Sequence, residues 1–426
     1  MKKLCLILLS LFLVGCQSSN QQSSKDERQH EKENLTLKEW KYLFWKGDTS
    51  KDGYYFIKSG DEESHISYYD YASKKELYLC NKPECQHKDE TCTAYLYGPA
   101  MMGELFTYGD HLYRIETISF SMNALGEREA KGPGIIQMDL DGQNRKELYR
   151  LENGYQFEHS SFVLADNKLY IPITKTQDIE VKSNEVMQVT TQSHLCSIDL
   201  TNGEMKEVFD MMDKAIIGVD KRQLIMRTMS YSENPQKYLD EKNYQKYDQL
   251  MMNAKVNYEI YDMDTKECKK IEVKQDEEGT YYQHKIYYTQ KSALYVLDLD
   301  TQKVEKMIDL PKQSTFYLSA IIDDYVIIDQ WKDNYIGSFK ISLKKPQLET
   351  LEQYTRAPKE PVQIIAQTQD QLLVIYDREG KEEKTWAGTM QYETSKEYIG
   401  LISIKDFLNN QKNYQTIETL TKTRQS

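Results

Sequence analysis

The chain is poor in the residues that most often carry chemistry. Its 426 residues include seven histidines and seven cysteines, and the histidines are scattered, with His30 inside a polar N-terminal stretch. There is no G-x-S-x-G elbow and no H-E-x-x-H pair, so the familiar signatures of α/β-hydrolases and zinc peptidases are missing. Beyond residue 15 no apolar run approaches eighteen residues, and nothing there predicts a membrane-spanning helix. Basic stripes are absent too. Lys and Arg number 55 against 67 Asp and Glu, a formal charge of −12. An acidic chain of this kind argues against nucleic acid and against direct adhesion to anionic lipid.

The N-terminus is the one strongly apolar stretch. Lys2 and Lys3 precede Leu4–Gly15, "LCLILLSLFLVG", which is short for a permanent span but suits a secretory signal. It ends in Leu13-Val14-Gly15-Cys16, which resembles the lipobox of bacterial lipoproteins. That resemblance implies cleavage before Cys16 and a lipid such as palmitate on its thiol. The protein is then expected on the extracytoplasmic face of the cell membrane. Residues 17–35, "QSSNQQSSKDERQHEKENL", have no apolar period and predict a flexible tether. The expected division is a signal at 1–15, a tether at 16–35 and a folded domain at 36–426.

The folded part repeats one phrase. "SHISYYDYASKKELYL" at Ser64 returns as "IIQMDLDGQNRKELYRL" at Ile135, "HLCSIDLTNGEMKEVFDM" at His194 and "YEIYDMDTKECKKIEV" at Tyr258. Further copies begin at Ala293, Ile336 and Tyr398. Alternation such as Tyr295, Leu297 and Leu299 marks strands. The Asp/Asn/Thr/Gly tetrads between them mark hairpin turns, with Gly142 and Gly203 able to take positive φ. Another strand pair precedes most copies, as in "SFVLADNKLYIPI" at Ser160. Four strands per unit, repeated about seven times, predict an all-β propeller. Seven blades of about 56 residues exceed the usual ~40–50, so insertions are expected, and six or eight blades also fit. One insertion, near 234–254, predicts a helix capped by Asn234 with Pro235 at its first position, its Tyr244, Tyr247 and Met251 on one face above a mouth of the ring. The 33 tyrosines are expected to pack between blades. The phrase resembles the blades of TolB-like and other bacterial lipoprotein propellers, a likeness that speaks for architecture and only weakly for function.

Two short motifs suggest more than they support. "SKDGYYF" at Ser50 has the wrong spacings for a sialidase Asp-box, and "DLDGQN" at Asp139 lacks the last acidic ligand of a calcium loop. Both are read as turns. "LCNKPECQHKDETC" is different. Cys80, Cys85, His87 and Cys92 lie within fourteen residues, and three thiolates with one imidazole would suit tetrahedral zinc or copper(I). The compartment equally permits a disulfide between two of the three cysteines, with His87 merely polar, or reduced thiols packed at a blade junction. C-x4-C-x-H-x4-C resembles a motif of Gram-positive propeller lipoproteins that brings no established activity. With four protein ligands the site would be a structural staple rather than a reaction centre. The expected function is therefore a lipid-anchored binding or interaction module for an unidentified extracellular ligand or partner. The alternatives are a propeller hydrolase or lyase, and a metal-handling lipoprotein built around the cysteine cluster.

Overall fold

The computed structural model describes residues 32–39, 47–59, 63–97, 103–117, 119–122, 128–182, 185–275, 279–384 and 390–420. Cys16, the signal, Trp40 and most of the tether lie outside them. Seven antiparallel sheets, each with a four-stranded core, make seven blades: 47–78, 103–150, 162–210, 214–275, 280–309, 315–351 and 363–416. The sheet of blade 1 also takes in Tyr95–Tyr97, and that of blade 3 also takes in Thr36–Lys38 and Tyr155–Phe157. All seven copies of the repeated phrase fall on the third and fourth strands of a blade. The likeness between blades is thus a likeness of outer hairpins.

The turns explain the phrase. Asp199 accepts from Thr201 N at 2.8 Å, Asp262 from Asp264 N at 2.9 Å and Asp298 from Thr301 N at 2.8 Å. In each, a carboxylate takes up a backbone donor that the ladder has released, which is why Asp recurs there. The two doubtful motifs are turns as well. Ser50 Oγ accepts from Gly53 N at 3.2 Å, and Asn144 Nδ2 donates to Asp139 at 2.6 Å.

Between blades the core is apolar and rich in tyrosine. Tyr54, Phe56 and Tyr69 of blade 1 pack on Ile375, Ile399 and Leu401 of blade 7, and Tyr258 and Tyr288 join blades 4 and 5. Among the described residues the ring closes without exchanging a strand between blades 1 and 7. Instead the C-terminal residues lie along the outer strand of blade 1: Glu418 N donates to Lys74 O and Glu76 N to Glu418 O, both at 2.8 Å. Lys58 Nζ adds a bond to Leu420 O at 3.1 Å.

Antiparallel strands give the ring two unlike faces. Connections between second and third strands, and those from one blade to the next, must all emerge on one side. That side carries the insertions. They are the hairpin Ser119–Met122 with Arg128–Lys131, the long strands Lys168–Lys182 and Gln371–Lys384, and the insertion of blade 4. The other side has mostly short turns, the exception being residues 404–414 of blade 7, which include the helix Ile404–Leu408. We call these the elaborated and the plain face.

One expectation needs correcting. The insertion of blade 4 is a pair of helices, Pro235–Asp240 and Tyr244–Met252. Asn234 caps the first as expected, accepting from Gln236 N at 3.0 Å. Lys242 then takes a φ of 56° and Asn243 caps the second, so the chain stops and restarts. The buried stripe of the second helix is Tyr244, Tyr247 and Leu250, while Met251 is 39% exposed. Thr36–Lys38, at the start of the expected folded domain, is a strand that belongs to no neighbouring blade in sequence. It pairs antiparallel with Phe162–Ala165, the inner strand of blade 3, and so lies in the middle of the ring.

Candidate functional site

The cysteine motif links the outer strand of blade 1, Lys75–Tyr78, to Tyr95–Tyr97, which returns to pair with Glu63–Asp70. Both ends of the loop are therefore held by one strand: Leu79 N donates to Ile66 O at 2.9 Å and Ile66 N to Ala94 O at 2.8 Å. Thr93 Oγ1 adds a bond to Leu79 O at 2.8 Å. Within the loop Glu84 and His87 take φ values of 57° and 56°, which turns the chain sharply enough to bring distant ligands together. The imidazole of His87 stacks on Tyr78 at 4.3 Å between centroids, and its carbonyl meets His65 Nε2 at 2.6 Å.

Cys80, Cys85, His87 and Cys92 converge. One ligand atom from each lies within 4.8 Å of the others, and His87 Nδ1 stands 3.2 Å from Cys92 Sγ. Zinc–sulfur bonds of about 2.3 Å in a tetrahedron put ligands about 3.8 Å apart, so this spacing fits a metal ion. The three thiols are free in the structure. Burial pushes Cys80 up, but the Lys82 N–H, the Thr93 hydroxyl and the two neighbouring thiols outweigh it and leave about 7. Burial pushes Cys92 up to about 12, with Cys80 and Cys85 adding to the rise. Burial, then His65, lowers His87, which favours the neutral imidazole that metals bind. The set can hold a metal such as zinc.

The loop also joins blades 1 and 2. Cys92 and Leu79 pack with Leu105, Leu112 and Met138 of blade 2, and Arg145 of blade 2 donates to Tyr95 O at 3.0 Å. Of the other cysteines, Cys196 is buried within blade 3 and Cys268 is exposed on blade 4; neither belongs to the cluster.

Sequence patterns gave no warning of a pocket of about 420 Å³ between blades 6 and 7. Its lining includes Ser319, Asp329, Trp331, Glu360, Gln363 and Arg378. Trp331 and Gln363 stand at the ends of their strands that face the elaborated side. Asp329 is 6% exposed, and burial pushes its carboxyl up. The available signal was an acid inside the apolar strand "YVIIDQW", where a strand buried along its length has no place for an unpaired charge. A second cavity of about 280 Å³ lies at the centre of the ring, beside Lys38, Asp48, Phe106 and Phe162. There Asp48 accepts from Lys38 Nζ at 2.6 Å and from Thr107 N at 2.8 Å, which fixes strand Thr36–Lys38 to blades 1 and 2.

The sequence matches no family model and no curated protein. Among solved structures, a puromycin-hydrolysing peptidase of Mycobacterium tuberculosis aligns over 88% of this chain and 53% of its own, with a TM-score of 0.51 at 9% identity. The chain thus spans about half the length of that peptidase. The β-propeller domain of the Trilobed protease from Pyrococcus furiosus aligns over 90% of this chain and 99% of its own, with a TM-score of 0.44 at 11% identity. TolB from Acinetobacter baumannii aligns over 84% and 77%, with a TM-score of 0.34 at 13% identity. At such identities the likeness concerns the propeller fold, and activity does not follow from it.

Proposed function

We propose that the chain is a lipid-anchored propeller displayed on the extracytoplasmic face of the cell membrane, where it binds a ligand or protein partner. The sequence Leu13-Val14-Gly15-Cys16 supports the anchor, and the observation that carries the binding role is the pocket between blades 6 and 7. That pocket, concave and lined by a few convergent polar groups and one indole, is what a binding module requires.

Labelled palmitate should enter the wild type and not Cys16→Ser, which should appear in the medium; equal labelling sinks the anchor. For binding, the purified protein is screened by thermal shift against small extracellular metabolites. At least one should raise the melting temperature, and Gln363→Trp, which fills the pocket, should abolish the shift. A library with no such compound argues against the reading.

Zinc on Cys80, Cys85, His87 and Cys92 would serve this module as a structural clamp between blades 1 and 2. Four protein ligands leave no open position for a substrate. Native mass spectrometry of anaerobically purified protein should find one zinc, lost on Cys85→Ser and on His87→Ala. A mass lower by two hydrogens without metal would mean a disulfide instead.

A further inference from the structure

We infer that the pocket between blades 6 and 7 is a site for a small aliphatic amine in its protonated, ammonium form. The inference rests on the binding role proposed above and names the ligand class for it.

Three observations converge. The first is a buried carboxyl without a cationic partner. Asp329 lies at the pocket wall, 6% exposed, and its carboxylate accepts from Ser338 Oγ, which is itself held by Tyr335 OH at 2.7 Å. Among the described residues no cationic side chain pairs with Asp329. The nearby cations are engaged elsewhere. Arg378 pairs with Glu360 at 2.5 Å and Glu397 at 3.3 Å, and also donates to Gln363 Oε1 at 3.0 Å. Lys359 donates to Ile336 O at 2.8 Å and lies 4.7 Å from the centre of the Tyr354 ring. One guanidinium thus serves two carboxylates, and Asp329 remains as a third. A buried carboxylate without a cation is costly, and a cationic ligand offsets that cost.

The second observation is Trp331, which shares the lining with Asp329 and is held edge-on by Tyr335 at 5.6 Å. An indole face attracts an ammonium group. A neutral sugar would also stack on it, but would leave the charge of Asp329 uncompensated, and an anion would be repelled. The third is size. About 420 Å³ suits a small molecule, and the apolar part of the lining, including Ile327, Leu351, Val362 and Phe407, suits an alkyl chain. A primary ammonium has three donors to give, and Asp329 and Ser319 are acceptors in the same wall.

Isothermal titration calorimetry at pH 7 with n-butylammonium, glucose and sodium butyrate tests this on the full protein. Butylammonium should bind, and the other two should give no heat. Asp329→Asn should weaken binding by about tenfold or more, as loss of a charge-assisted bond does. Trp331→Leu should weaken it about fivefold. Asp329→Asn should also unfold at the same or a higher urea concentration than wild type, because it removes an unpaired buried charge; a purely structural Asp329 would give the opposite. Undiminished binding to Asp329→Asn overturns the inference, as does no binding of butylammonium. Glucose or butyrate binding in its place, abolished by Gln363→Trp, overturns the amine and leaves the binding module standing. If that screen also finds no ligand, both readings fail together.

Discussion

Asp377 shows how one carboxylate can hold an irregular segment between blades. Residues 352–362 connect blades 6 and 7, and the only backbone donor of Arg356 goes to Asp377 Oδ1 at 3.0 Å while its guanidinium pairs with Oδ2. Burial pushes the Asp377 carboxyl up, but the N–H groups of Arg356 and Arg378 and the Arg356 guanidinium more than offset this, leaving its pKa below the ordinary value. A depressed pKa in the folded state contributes stability that is complete above the unfolded pKa, about 4. That contribution is lost as pH falls through the lower, folded value. Asp377→Asn should therefore lower the urea midpoint at pH 7, and its deficit against wild type should shrink steadily from pH 5 to pH 2. A deficit that does not change with pH would mean that the carboxylate charge is irrelevant. In the sequence Asp377 is one of 67 acids, and nothing local distinguishes it. Its partner lies 21 residues earlier, across a blade boundary.

At the scale of elements, glycine turns lock neighbouring blades. The sequence marks Gly142 and Gly203 as turn glycines, and their φ values are 81° and 78°. Conformation is only part of their role. A Cβ on Gly203 would lie 2.0 Å from Leu148 O of blade 2, and one on Gly142 would lie 2.9 Å from Thr93 O in the cysteine loop. Each outer turn is thus pressed against the blade before it. Gly154 offers a control, with φ of 88° and no atom near its missing Cβ. Gly154→Ala should cost about 1–2 kcal/mol from the left-handed conformation alone. Gly203→Ala should cost about 1–3 kcal/mol more, from the clash with backbone. Urea denaturation of the two variants decides, and equal losses would mean that the contact between blades yields easily. The helical insertion teaches a related lesson. Its cap at Asn234 is legible because capping is local, whereas the break at Lys242 and Asn243 follows from packing two short helices on each other.

The whole molecule depends on closing the ring. Among the described residues each blade takes its four core strands from one stretch of chain, and no strand is shared between the last blade and the first. Side chains of blades 1 and 7 and the residues around Glu418 carry that junction instead. A chain ending just before Val362 should expose Tyr54, Phe56 and Tyr69, and should prove insoluble or sensitive to protease where the full chain resists. A soluble, resistant product would mean that six blades close by themselves. Chelation acts at a different junction. If zinc clamps blades 1 and 2, EDTA should lower the melting temperature of wild type and leave that of Cys85→Ser unchanged. An equal shift in both would assign the effect to another metal site.

Local order alone determined much of this protein. Alternating strands, Asx turns and a phrase repeated seven times required four-stranded units in series, since a sheet with two apolar faces can bury both only against other sheets. The convergence of Cys80, Cys85, His87 and Cys92 as candidate ligands was legible for the same reason: their spacing is short, so the loop itself can bring them together. The tertiary structure decided everything that depends on bringing distant residues side by side. It joined Asp329 and Trp331 of blade 6 to Gln363 and Arg378 of blade 7 in one pocket. It also laid residues 36–38 against residues 162–164, which no period in the sequence anticipates. Periodicity reports the faces a strand presents, but which face meets which is set by closing the ring, and that involves the entire chain.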